Sequence, residues 1–221
     1  MEKPGTAMIG FALCHGWAFD RNTLESLAAL LAQRFPDAAL ACFDLGFGTA
    51  PHTPQLRNDV EWIAIGHSYG YAYLIQQPVS WKAAIAINGF TRYCRRPGQP
   101  EGTPARLVDA MLARLADDPQ ATVQDFYLRC GSAMQLPQQL DVPLLAAHLT
   151  QLRDLDLALP ACQTLALSCH DDLIVPPALA HACFAQAGCI IQEFSGDHMQ
   201  LLREPALCMA AITDYVETVC A

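Results

Sequence analysis

No run of basic residues occurs anywhere in these 221 residues, and the formal net charge is −9. Such a chain lacks the surface needed to track a nucleic-acid backbone or lie on an anionic membrane. No apolar run is long enough to span a bilayer. No repeat or low-complexity tract appears. Glu2, Lys3 and Pro4 lead into a short apolar run that ends at His15-Gly16, which is not the layout of a secretory signal. Ten cysteines are present, yet no Cys-x-x-Cys pair. Cysteine and histidine are scattered without the spacing of a zinc module. Most cysteines, Cys14, Cys42, Cys162 and Cys208 among them, lie inside apolar segments and read as small buried residues of a reducing cytoplasm. A thiol mechanism centred on Cys14 has no base arranged for it.

What is present is Gly66-His67-Ser68-Tyr69-Gly70, directly after the apolar run Trp62-Ile63-Ala64-Ile65. The pattern predicts a strand, a sharp turn with serine at its tip, and a helix behind it. Small neighbours are needed because such a turn brings main chain close to main chain. The turn lifts the Ser68 hydroxyl clear of the sheet and aims the N–H of Tyr69 at a developing oxyanion.

A serine nucleophile needs a base, and the base needs an orienting acid. On a strand–turn–helix elbow these follow the serine in the order acid, then histidine. His198 stands in Ser195-Gly196-Asp197-His198, after the strand-like Cys189–Phe194. The acid falls in the loop after Leu165-Ala166-Leu167, where Asp171 and Asp172 are both candidates. The strand Ala84–Ile87 runs into Asn88-Gly89 and meets no carboxylate before Glu101. A second oxyanion donor belongs on the loop after the first core strand, Met8–Cys14. There His15-Gly16-Trp17 offers the Trp17 N–H.

These four segments in order resemble the α/β-hydrolase superfamily, and most of all the BioH-type carboxylesterases that cleave pimeloyl-acyl carrier protein methyl ester. Asp44-Leu45-Gly46-Phe47-Gly48 is similar to that family's turn after the second strand, with a proline deleted. Leu115–Phe126 resembles the start of its lid, and His198–Pro205 its histidine loop and following helix. The family's Gly-x-x-Asp-x-x-Val-Pro pattern, laid on this sequence, selects Asp172 and puts Cys169 at the glycine. Tyr71 stands where many relatives carry glycine, which implies an elbow helix set slightly further from the sheet.

The resemblance implies an α/β fold in one domain over residues 1–221. The expected sheet is trimmed and mostly parallel, with about six strands, helices on both faces and no leading hairpin. Only 17 residues separate Asp44 from Trp62, leaving little room for a helix there. Three short helices over 105–115, 121–130 and 140–151 predict a lid insertion spanning about 92–160. Met111, Phe126 and Met134 are the candidate acyl-pocket residues.

The implied activity is that of a serine carboxylesterase using Ser68, His198 and Asp172, with no cofactor or metal. Its partner is a small or carrier-bound ester. Acyl carrier protein is one such partner, but it is acidic and needs a local basic patch, for which Arg92, Arg95 and Arg96 are the only cluster. A thioesterase, a lipid hydrolase and a non-catalytic binder of the same fold are the alternatives.

Overall fold

A computed structural model describes residues 8–221. Its centre is a six-stranded, wholly parallel sheet in the order β2-β1-β3-β4-β5-β6. The strands are β1 (Met8–Cys14), β2 (Ala39–Phe43), β3 (Val60–His67), β4 (Ala83–Ile87), β5 (Thr164–Cys169) and β6 (Cys189–Phe194). The four central strands are nearly continuous apolar runs, as parallel strands covered on both faces must be. Edge strand β2 buries only Ala41 and Phe43, and edge strand β6 alternates half-buried with exposed positions over most of its length.

Helix α1 (Glu25–Arg34) packs with the C-terminal α8 (Ala206–Cys220) on one face. On the other face lie α2 (Tyr69–Ile75), directly after β3, and α6 (Pro177–Phe184). Tyr71 of α2 meets Phe184 of α6 edge to face, with ring centroids 5.5 Å apart. Residues 21–34 form a 3-10 turn followed by α1, because the Asp20 side chain caps Asn22 and starts the turn. After His198 the chain forms two helices, α7 (Gln200–Arg203) and α8, because Pro205 has no N–H to carry the first helix onward. No helix forms between Asp44 and β3.

Between β4 and β5 lie α3 (Ala105–Asp117), α4 (Pro119–Arg129) and α5 (Val142–Asp154). Aspartates set two of their starts: Asp118 accepts the Ala121 N–H and Asp141 the Leu144 N–H, each with proline in the first turn. Of the arginine cluster at the entry to this segment, Arg92 is buried, Arg96 half-buried and Arg95 exposed, and all three bond backbone carbonyls. Buried Arg92 donates to the carbonyls of Cys94 and Glu101, Arg95 to Gly102, and Arg96 to Arg153 and Leu155. These guanidiniums stitch the entry together because its irregular backbone offers carbonyls no strand partner could satisfy.

No helix among the described residues is long and apolar enough to cross a membrane. No cluster of metal-ligating side chains occurs among them either. All ten cysteines are free thiols. Cys14 is fully buried, and that burial pushes its pKa well up, so its thiol stays protonated.

Candidate active site

The chain order crosses over between β1 and β3, with β2 outside β1. In open parallel sheets this switch point leaves a crevice at the carboxyl ends of the strands. Ser68 follows β3 there, at φ 54° and ψ −125°, in the left-handed half of backbone space. Its N–H donates to Ile87 O at 2.9 Å, which fixes the turn against β4. A Cβ added to Gly66 would sit 2.2 Å from the Tyr71 N and Cα, and one added to Gly70 would sit 2.3 Å from Cys14 O. Both glycines are therefore required by close backbone approach. The expected outward shift of the elbow helix does not occur: α2 lies hard against β3, and the Tyr71 ring is wholly buried.

Asp172 and His198 meet beyond β5 and β6. His198 Nδ1 donates to Asp172 Oδ2 at 2.6 Å, and both side chains are sealed from solvent. The other carboxylate oxygen accepts the N–H groups of Ile174 and Val175 at 2.7 and 2.8 Å. With Nδ1 donating, Nε2 carries the lone pair, and this buried atom has no hydrogen-bond partner in the protein. Such a vacancy suits a base that accepts a proton from a nucleophile. Asp171, the other candidate acid, is exposed; its N–H donates to Gly196 O.

Two residues that sequence reasoning missed hold the histidine in place. His67 Nε2 and Asn88 Nδ2 both donate to the His198 carbonyl, each at 3.0 Å. The His67 ring lies 4.6 Å from the His198 ring, which brings the base beside the elbow. Asn88 Oδ1 accepts the N–H of Cys169, so one side chain joins the acid loop to the histidine loop. Cys169, at the family's glycine, is simply buried there. Burial, and next the His198 charge, hold the His67 pKa well below the usual histidine range, so the ring is neutral. The one signal in the sequence was Asn88-Gly89 ending a strand, since asparagine tolerates the φ of 46° found there.

The loop after β1 lies against the elbow, for a Cβ on Gly16 would come within 3.1 Å of Ser68 Cβ. This brings the Trp17 N–H to the same region as the Tyr69 N–H, which heads α2 and has no acceptor within its helix. Side chains of both residues anchor on the inserted helices. Trp17 Nε1 donates to Leu145 O at 2.9 Å, and the Tyr69 hydroxyl bonds His148 Nδ1 and Gln151 Oε1 at 2.9 and 3.0 Å. Tyr127 of α4 donates to Ala18 O at 2.6 Å. His15 stiffens the loop from the other side: its Nε2 accepts the Leu45 N–H while Nδ1 donates to Gly16 O.

A cavity of about 80 Å³ opens on Ser68. Met111 and Phe126 line it, with Trp17, Phe90, Leu149 and Ile174. Met134 does not. It lies in the coil after α4, packed on the core, because the turn at Cys130-Gly131 carries the chain away from the cavity. Tyr93, Thr103 and Arg129 add polar groups to an otherwise apolar wall.

No protein-family model matches this sequence, and no curated protein matches it. Solved structures do. An esterase from Exiguobacterium antarcticum superposes with a TM-score of 0.79 at 16% identity, over 96% of this chain and 93% of that one. The enol-lactonase of Burkholderia xenovorans gives 0.75 at 14%, over 97% and 94%. BioG of Haemophilus influenzae gives 0.63 at 19%, over 89% and 91%. Element order, sheet and these superpositions agree: the chain has the α/β-hydrolase fold.

Proposed function

We propose that this protein is a serine hydrolase that cleaves carboxylic esters through Ser68, His198 and Asp172. The observation that carries the reading is the buried Asp172–His198 pair with its unoccupied Nε2, set beside a serine in a strained elbow. Ser68 attacks the ester carbonyl as His198 Nε2 takes the hydroxyl proton. Asp172 holds the ring and stabilises the imidazolium. The Trp17 and Tyr69 N–H groups receive the oxyanion, a contribution typically worth 10²–10³ in rate per donor. His198 then gives its proton to the leaving alkoxide, and water, activated by the same nitrogen, releases the acyl group.

Ser68→Ala is expected to abolish hydrolysis of short p-nitrophenyl esters and labelling by a fluorophosphonate probe, with the circular dichroism spectrum unchanged. Retained turnover in that variant would sink the assignment.

A methyl ester carried on acyl carrier protein is the finer substrate implied by resemblance. Against it stand the net charge of −9 and the burial of Arg92, which leaves Arg95 and Arg96 as the accessible part of the cluster. Growth of a biotin-requiring strain lacking its pimeloyl-ester esterase, when supplied with this protein, would favour it. The same residues serve a thioester; a leaving-group series separates the two.

A further inference from the structure

From the sheet side, His67 Nε2 and Asn88 Nδ2 fix the His198 carbonyl. The residues that flank His198 in sequence, Asp197 and Met199, are tied to a different element, the turn that ends α4. The Met199 N–H reaches Cys130 O at 3.2 Å. Asp197 is joined to the same turn through Arg203, the last residue of α7. Nη1 of Arg203 donates to Gly131 O at 2.7 Å and to Asp197 Oδ1 at 3.0 Å. Nη2 donates to Asp197 Oδ2 at 3.0 Å and to Gln200 Oε1 at 2.7 Å. Asp197 Oδ1 also accepts the Met199 N–H at 3.0 Å, which closes the loop around the histidine. Gly131 stands at φ 75°, and a Cβ there would lie 2.1 Å from Asp197 Oδ2. Glycine is what lets the carboxylate lie against the turn. The same helix α4 places Phe126 in the cavity wall and bonds Ala18 O, next to Trp17, through Tyr127.

We infer that Arg203 is a positioning residue for His198, acting through Asp197, and that its hold on the Gly131 carbonyl brings the base into line with Ser68 only while α4 is seated over the cavity. The inference rests on the serine-hydrolase reading and adds a control to it. Arg203 lies outside the cavity lining, so it acts on the base and not on substrate. A guanidinium fork on a carboxylate fixes angle as well as distance. The two side chains are 40% and 31% exposed, so solvent screens the pair and its contribution to folding stability is small. Its consequence is geometric. Proton transfer from a serine requires Nε2 within hydrogen-bond reach, and a small misplacement lowers the rate steeply. If α4 lifted, the histidine loop would lose the Cys130 and Gly131 carbonyls, and the loop bearing Trp17 would lose Tyr127. Base and oxyanion loop thus answer to one helix.

The test pairs steady-state kinetics on p-nitrophenyl butyrate with urea unfolding. Arg203→Gln is expected to lower kcat about 30-fold, with KM within about twofold of the parent and the urea midpoint nearly unchanged. Arg203→Lys can pair with Asp197 but cannot fork both oxygens and hold Gly131 O, so it is expected to recover only part of the loss. In an Asp197→Asn background, Arg203→Gln is expected to cost little more, because both residues act through one link. Gly131→Ala, which pushes Asp197 off the turn, is expected to lower kcat with Arg203 intact. Unchanged kcat in Arg203→Gln would overturn the inference, while native turnover leaves the hydrolase reading standing. A kcat loss that tracks an equal loss of folded protein in urea, or Arg203 and Asp197 losses that simply multiply, would overturn it too. Full kcat in folded Gly131→Ala protein would overturn the link to α4. Absence of fluorophosphonate labelling at Ser68 in native protein would remove the hydrolase reading, and the positioning role with it.

Discussion

Among the described residues, three other than glycine adopt positive φ: Ala18, Ser68 and Asn88. Each sits at the mouth of a central strand and each serves the site. Ala18 follows Trp17, Ser68 is the proposed nucleophile, and Asn88 clamps the His198 carbonyl. Backbone strain of this kind costs of the order of 1–3 kcal/mol per residue and persists only where surrounding bonds over-determine it. Here the determining bonds are visible: Tyr127 to Ala18 O, Ser68 N–H to Ile87 O, and the two-sided amide of Asn88. The two neighbouring aspartates have equally separable roles. Asp172→Asn keeps the shape but disturbs the histidine tautomer, so kcat is expected to fall about 10⁴-fold. Asp171→Asn touches only solvent, and its kcat is expected to stay within about twofold of the parent. Reversal of that pair in steady-state kinetics would reassign the acid.

The inserted helices and the proposed oxyanion donors, Trp17 and Tyr69, are mechanically one unit. Helix α5 holds Trp17 through Leu145 O and Tyr69 through His148 and Gln151, and α4 holds the following Ala18. Any displacement of α5 therefore moves both N–H groups. Tyr69→Phe removes two of these bonds without touching the donor itself. Its expected signature is a kcat about tenfold lower with KM nearly unchanged, and about 1 kcal/mol lost in urea unfolding. An unaltered kcat would show that α5 is only a cover. Such couplings explain what was legible in the sequence. The strands announced themselves as apolar runs, and Ser68 and His198 by order along the chain, since both depend on local pattern. Residues that act across the chain gave no such sign. His67 stands only as the x of a glycine-serine turn, and Tyr127 carries no local signal of its bond to Ala18. Met134 was assigned to the pocket on hydrophobicity alone, which cannot register the turn after α4 that carries it away.

For the molecule as a whole, buried His67 sets an acid limit. Its native pKa is well below the ordinary value of 6.5, so the unfolded chain binds a proton that the folded chain refuses. Above about pH 6.5 this has no effect on stability. Below it, stability falls by up to about 1.4 kcal/mol per pH unit until the native ring also titrates. Urea unfolding at pH 7.5, 6.5, 5.5 and 4.5 measures the slope. His67→Gln keeps a donor for the His198 carbonyl and is expected to flatten it; an unchanged slope would assign the loss to other groups.

The bonds that complete the site span 109 to 131 positions of sequence: Ala18 to Tyr127, Asn88 to His198, Trp17 to Leu145 and His67 to His198. A ribosome releases the segment bearing Ser68 long before it releases the loop bearing His198. Until then the serine has neither a base nor the clamp that holds its turn beside one. On the proposed function, a growing chain is chemically silent, and the assembled site arrives as one of the last events of folding.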